Sequence, residues 1–255
     1  MKNSCLEKET KERLYLLDEI RGFLIIGVVL SHTLFDMYNI FGFDMPWVES
    51  GIANTISDIG AILFIMISGL VSRFSKDNIS RGLKLLCVAS ALTLVTDLIV
   101  PEYVIYAGVL HHLAFAIVIL ELLKPVLVKI PPVVGIIFNL VVAILTFNLY
   151  ERKISLFGAT LLEIPKSIMN GGLSYLLGLK IDNITISSDY YPLLPWITFF
   201  FIGFFLTSYV LNEPVKSFLS KKRFNFLAKA GRHSLLIYLV HQPIVYGILY
   251  LITIK

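Results

Sequence analysis

The sequence predicts an all-α fold, a polytopic membrane helix bundle of about seven transmembrane helices with an eighth left open. Hydrophobic residues make up 56% of the 255 residues, above the roughly 45–50% of soluble domains, and the mean hydropathy is +0.80. Apolar runs of about 20 residues recur, which is the length of helix that crosses the ~30 Å hydrocarbon core. Because helices satisfy their own backbone groups inside lipid, these runs predict spanning helices.

The apolar runs set the order of the elements. Two runs between residues 154 and 181 are each too short to cross a bilayer. An eighth span there would place the basic stretch 216–232 outside, against the positive-inside rule. We therefore predict a re-entrant or interfacial segment at 154–181, capping the outer face. The seven predicted spans lie near residues 22–40, 53–72, 85–101, 104–123, 130–149, 193–211 and 234–254.

Lysine and arginine residues indicate the orientation of the bundle. With a cytoplasmic N-terminus, the inner segments hold 17 of the 22 Lys and Arg residues, which satisfies the positive-inside rule. The sequence thus predicts a multi-pass cell-membrane protein in contact with lipid, a single domain over 1–255 with a charged cytoplasmic tail at 1–12. That start is too long and charged for a cleavable signal, so the first helix is expected to remain. The inner segments are 1–21, 72–84, 124–129 and 212–233.

Composition argues against a nucleic-acid partner, a disulfide and a bound metal. The formal net charge is +4, but the basic residues follow the helix ends, so we expect no nucleic-acid partner. Cys5 and Cys87 are the only cysteines, one in the charged tail and one in an apolar run, so we expect neither a disulfide nor a metal site. The sequence has no HExxH motif and no Cys/His cluster, so no metal is expected.

Arg21 and His32 are the main candidate site residues. They are eleven residues apart in the first apolar run, which places them within about 20° on one helix face and roughly 16 Å apart along its axis. Asp36 follows His32 at i+4, and Asp18 lies one turn before Arg21. Ionisable groups inside a membrane are costly and mark functional sites. Arg21 would hold an anion at the membrane surface, while His32 with Asp36 would handle protons at mid-depth; the alternative is a polar network that ties helices together.

Further ionisable residues extend the predicted site. Arg73 and Arg232 fall at the predicted cytoplasmic boundary, where they would contact the same anionic ligand as Arg21. His111 and His112 are adjacent, so they cannot both face one partner helix. The candidate substrate contacts are Asp58, His112, Asp189 and His241.

His241 lies deep in the last span and has two interpretations. It shares a helix face with Ser234 and Tyr238, which precede it by seven and three residues. Pro243 removes a backbone donor beside it and is expected to kink the helix. His241 either contacts substrate or is a core histidine bonded to a neighbouring helix.

Three stretches together resemble a known family. They are YLLDEIRGFLIIGVVLSHTLFD at 15–36, YAGVLHHLAF at 106–115 and SDYYPLLPW…GRHSLLIYLVHQP at 188–243. They resemble the small prokaryotic members of the heparan-alpha-glucosaminide N-acetyltransferase catalytic-domain family, in order from residue 13 to about 246. The spacing of Arg21 and His32 also resembles the first-helix motif of the wider integral-membrane acyltransferase-3 group.

The resemblance implies a transmembrane acyltransferase. Acetyl would pass from cytoplasmic acetyl-CoA to a sugar or glycoconjugate acceptor at the outer side, and a homodimer is left open. The catalytic histidine proposed for the family's best-known animal member would fall at Phe43 here, so that assignment does not carry over. His32, matched by the acyltransferase-3 pattern, is the candidate base instead.

The residues themselves fit this chemistry. Fixed guanidinium donors such as Arg21 suit the phosphates of an acyl-CoA. His32, oriented by Asp36 or another buried carboxylate, could take the proton from an acceptor hydroxyl or amine as it attacks the thioester. A transient acyl-imidazole on His32 is the covalent alternative. A proton-coupled small-molecule transporter would use the same buried charges, although related halves of the chain are not detected.

Overall fold

The computed structural model describes residues 13–167, 171–181 and 189–253. The predicted tail at 1–12 lies outside these residues. Helices dominate the described chain, which confirms the predicted all-α membrane bundle. The helices are α1 Tyr15–Phe35, α2 Gly51–Ser72, α3 Asn78–Ile99, α4 Val109–Leu127, α5 Pro132–Thr146, α6 Gly172–Leu177, α7 Trp196–Val210, α8 Glu213–Ser220, α9 Asn225–Arg232 and α10 Ser234–Thr253. The strands are β1 Lys153–Leu156 and β2 Ala159–Glu163.

Five of the described helices are long and apolar enough to cross a bilayer. They are α2, α3, α4, α10 and α1, which a π-helical turn extends to Ile40. Helices α7 and α8 would form a sixth span only as one bent pair, with an angle of 106° between them. Helices α5 and α7 have 15 residues each, which makes them about 22 Å long, shorter than the ~30 Å core. The predicted spans at 130–149 and 193–211 thus correspond to short helices, and the count of seven stays a prediction.

The segment at 154–181 contains a β-hairpin that the sequence analysis did not predict. Strands β1 and β2 pair antiparallel, with Leu156 opposite Ala159. Phe157 and Gly158 between them both have positive φ, 49° and 88°, as a two-residue type I′ turn requires. The spans were predicted from the length of apolar runs, and a strand of four residues is too short to be recognised in this way. The place of this segment relative to a membrane remains a prediction.

The described residues pack as two compact units, one within 1–64 and 209–255 and the other within 65–208. In the second unit, the C-terminal half of α2 packs against α7. Thr207 donates a hydrogen bond to the Leu70 carbonyl oxygen (3.1 Å), and Phe200 and Phe204 are fully buried. Helices with little polar surface are thus joined by close packing and a hydroxyl bond, as is usual in membrane bundles.

In the first unit, the short helix α9 packs against the start of α1 at a glycine contact. A Cβ at Gly22 would overlap the Leu227 carbonyl oxygen, and a Cβ at Gly231 would overlap the Asp18 carbonyl oxygen. The two backbones therefore approach as closely as only glycine permits. This contact fixes α9, and with it the start of α10, relative to the face of α1 that carries the predicted site.

Candidate functional site

Arg21 reaches the last helix from the first. Its Nη2 donates a hydrogen bond to the Ser234 Oγ at the start of α10 (3.0 Å). Its Nε is buried and makes no hydrogen bond to any residue in the described part of the chain. Asp18 pairs with Arg13 instead, whose Nε lies 2.7 Å from Asp18 Oδ2. The hydrogen bond to Ser234 ties the Arg21 guanidinium to the start of α10.

His32 and His241 form a ring pair between α1 and α10. Their ring centroids are 5.1 Å apart and the rings meet edge to face, at 75°. His241 Nδ1 lies 2.6 Å from the Tyr238 carbonyl oxygen. Because a carbonyl only accepts, Nδ1 carries a hydrogen, and in the neutral ring the lone pair is on Nε2. His241 is buried, and this Nε2 has no hydrogen-bond partner among the described residues. The structure therefore presents an unused acceptor atom on the residue next to His32.

Asp36 is held by Gln242, a residue that the sequence analysis did not single out. Gln242 Nε2 lies 2.9 Å from both carboxylate oxygens of Asp36, which is almost fully buried. The Gln242 side chain also lies beside the His32 ring. Within the described residues no hydrogen bond joins His32 directly to Asp36. Gln242 lies between them instead, so Asp36 does not orient His32 directly as expected. The sequence signal for Gln242 was its position directly after His241.

The local backbone helps to place Asp36. The helix changes from α to π at Asp36–Ile40, and single π turns are frequent at functional sites. Ser31 Oγ lies 3.2 Å from Ser57 Oγ, which joins α1 to α2 one residue before His32. The wider turn and this contact hold the C-terminal end of α1 between two other helices.

Two other predicted residues of the first unit, Asp58 and Arg232, lie apart from the contacts made by Arg21, His32 and Asp36. Asp58 is exposed on α2, although its neighbour Ser57 contacts α1. Arg232 is exposed at the end of α9, where its Nε donates to the Ala228 carbonyl oxygen (3.3 Å). The unit thus brings together Arg21, His32, Asp36 and His241, with Ser234 and Gln242.

The remaining predicted residues belong to the second unit. Arg73 Nη1 donates to Ser208 Oγ (2.9 Å), and its guanidinium lies over the Phe204 ring. His112 is buried, its Nδ1 donates to the Pro192 carbonyl oxygen (3.2 Å), and its Nε2 has no partner in the described ranges.

Asp189 is buried at the first turn of α4. Its Oδ2 accepts a hydrogen bond from the backbone N–H of Val109 (3.2 Å). A carboxylate in this place satisfies one of the free N–H groups at the start of a helix and interacts favourably with the helix dipole. The contact supports the start of α4 at Val109, five residues after the start of the predicted span.

Comparison with known proteins identifies the family. The model of the family described as "Heparan-alpha-glucosaminide N-acetyltransferase, catalytic" matches residues 13–243, nearly the whole chain. A search of curated proteins and a search of solved structures found no match. No group of three or more His, Cys, Asp and Glu side chains suited to a metal occurs in the described ranges. The resemblance inferred from the three motifs is confirmed, and the chain belongs to the heparan-alpha-glucosaminide N-acetyltransferase catalytic family, a family of membrane acetyltransferases.

Proposed function

We propose that the protein moves an acetyl group from cytoplasmic acetyl-CoA to a hydroxyl or amine of a sugar or glycoconjugate acceptor at the outer side of the membrane. The observation that carries this proposal is the contact between His32 and His241 on two candidate spans, beside the Asp36–Gln242 pair. In this pair His32 is suited to receive the proton of an attacking group, and the unused acceptor atom of His241 is suited to bind that group.

Arg21 is proposed to bind the phosphates of acetyl-CoA. A guanidinium offers several donors in a fixed fork that matches phosphate oxygens. Arg21 and His32 are eleven residues apart on α1, which is roughly 16 Å of helix. A long, thin pantetheine arm could therefore bring the thioester to His32 while its phosphates stay at Arg21.

His32 is proposed as the general base. It would take the proton of the acceptor hydroxyl or amine while the oxygen or nitrogen attacks the thioester carbonyl carbon. The C–S bond then breaks, and the CoA thiolate takes the proton from His32, so the histidine returns to its neutral form. Asp36 would act through Gln242, by holding the amide that lies beside the His32 ring.

His241 is proposed to bind the acceptor. Its Nε2 can only accept a hydrogen bond when Nδ1 donates to Tyr238. The preferred acceptor group is thus a hydrogen-bond donor, such as a hydroxyl or a neutral amine. We extend the proposal to Arg73 and Arg232 as further CoA contacts, and to Asp58 and His112 as further acceptor contacts. For Asp189 the contact at the start of α4 supports a structural role instead.

Labelled acetyl transfer tests this proposal. Purified protein in liposomes is given radiolabelled acetyl-CoA and glucosamine, which carries both a hydroxyl and an amine. We expect labelled glucosamine from the wild type and none from His32→Ala. His233→Ala is the matched control, because His233 is exposed and lies outside α10. A proton-coupled transporter, the alternative, would instead move protons with a solute and leave the label on CoA.

A further inference from the structure

We propose that the segment after α8 is a binding surface for anionic phospholipid headgroups. Residues 216–232 carry six Lys and Arg residues and no Asp or Glu. Five of the six basic residues are exposed, and none of these five forms an ion pair within the described part of the chain. We call these five together with Phe224 and Phe226 the basic aromatic surface: Lys221, Lys222, Arg223, Phe224, Phe226, Lys229 and Arg232.

The backbone of this surface is fixed to the first span. The buried Glu19 of α1 accepts hydrogen bonds from the backbone N–H groups of Arg223 (2.6 Å) and Phe224 (2.9 Å). Three residues after Phe224, the glycine contact with α1 begins at Leu227. Lys222 also lies over the ring of Tyr15, the first residue of α1. The surface is therefore held where the first candidate span begins, at one boundary of the bilayer.

The side chains of the surface combine two properties that suit a lipid headgroup region. Phe224 and Phe226 are 62% and 73% exposed, beside a run of three cations. Large exposed aromatic rings next to Lys and Arg are typical of segments that lie in the bilayer interface, with the rings at the boundary of the acyl chains. Their exposure would be unfavourable in water alone, so the rings favour a lipid over a nucleic acid as the polyanion.

The charges supply the preference for anionic lipid. A basic residue close to an anionic membrane surface strengthens binding by about fivefold. Three adjacent cations would thus account for a preference of up to about a hundredfold, reduced by salt within a screening length of about 10 Å. Arg232 is shared with the proposed CoA site, so the proposal is tested on Lys221, Lys222 and Arg223, which have no part in the proposed acetyl transfer.

The test measures lipid retention by the full-length protein. Protein purified in a neutral detergent is mixed with equal amounts of phosphatidylglycerol and phosphatidylcholine, and bound lipids are counted by native mass spectrometry. We expect wild type to retain phosphatidylglycerol at least tenfold over phosphatidylcholine, and Lys221→Gln/Lys222→Gln/Arg223→Gln to lose most of that preference. The control Lys76→Gln/Lys84→Gln/Lys129→Gln removes the same charge from other exposed positions and should keep the preference.

Additional variants separate charge from apolar contact. Phe224→Ser/Phe226→Ser should reduce retention of both lipids, because it removes the rings and keeps the cations. If the triple variant does not fold, Lys221→Gln alone should still lower the preference by about fivefold. Equal retention of the two lipids by wild type, equal loss in the control, or tighter binding of a single-stranded oligonucleotide than of phosphatidylglycerol would each overturn the proposal.

Discussion

The imidazole rings of His32 and His241 are in edge-to-face contact, with centroids 5.1 Å apart, although they come from the first and last helices that the structure describes. The contact brings together two imidazoles, side chains whose ring nitrogens can accept or donate a proton. One proton is what acyl transfer to a hydroxyl requires, because it is taken from the acceptor and later given to the thiolate. The pair is therefore the part of the structure on which the proposed chemistry depends.

We predict that His32→Ala lowers acetyl transfer by about 10²–10⁴-fold, the usual contribution of a general base. Acetyl-CoA binding and the melting temperature should stay close to wild type. Asp36→Asn should lower the rate less, because it disturbs Gln242 without removing the base. Labelled transfer and thermal stability, measured together, check both. Normal turnover with a lower melting temperature would make His32 structural.

Arg21→Ala should weaken acetyl-CoA binding far more than Arg21→Lys. Lysine keeps the positive charge for a phosphate and loses only the bidentate fork. Ser234→Ala is the control, since it removes the hydrogen bond that Arg21 donates and leaves the guanidinium in place. Calorimetry in detergent measures the acetyl-CoA affinities of wild type and the three variants. Equal affinities of wild type and Arg21→Ala would remove Arg21 from the donor site.

His241→Asn should raise the KM for the acceptor by about two- to tenfold, the value of one neutral hydrogen bond. The asparagine amide can still donate to the Tyr238 carbonyl, but it has no atom in the place of Nε2. The KM for acetyl-CoA should not change. Steady-state kinetics with each substrate varied in turn makes the distinction. An unchanged acceptor KM would leave His241 as a core histidine.

Gln242→Leu should lower stability by about 1–3 kcal/mol, the cost of a buried polar group that loses its partner. Asp36 is the group affected, because both of its oxygens accept from Gln242. The double variant Asp36→Leu/Gln242→Leu should recover part of this loss, since no buried carboxylate remains. Denaturation in detergent gives the coupling between the two positions. Additive losses would mean that the two side chains do not interact.

Gly231→Ala should lower stability by about 1–3 kcal/mol, because the added methyl group overlaps the Asp18 carbonyl oxygen. Gly27→Ala is the matched control on α1, where a Cβ meets nothing within 4 Å. That substitution should be neutral or slightly stabilising, since alanine favours helix more than glycine does. Melting temperatures of the two variants check the prediction. Similar values for both would contradict the close approach of α9 to α1.

The fold class and the shared helix face of Arg21, His32 and Asp36 could be predicted from the sequence. Both follow from local regularities, since the length of an apolar run decides whether a helix can span a bilayer and 3.6 residues per turn decides which side chains align. The first prediction is confirmed, and all three residues lie on the continuous helix Tyr15–Ile40. The family could be identified for a related reason, because its motifs are contiguous in the chain.

The side chains that contact these residues could not be predicted from the sequence. Gln242 binds Asp36, Ser234 binds Arg21 and His241 contacts His32 because α10 returns to α1 across about 200 residues of sequence. No periodicity within one helix specifies which face of a distant helix it meets. The sequence also could not predict which ring nitrogen of His241 carries the hydrogen. That depends on whether a carbonyl oxygen lies within hydrogen-bond distance in the folded chain. Helix register is a local property, whereas hydrogen-bond partners depend on how distant helices pack.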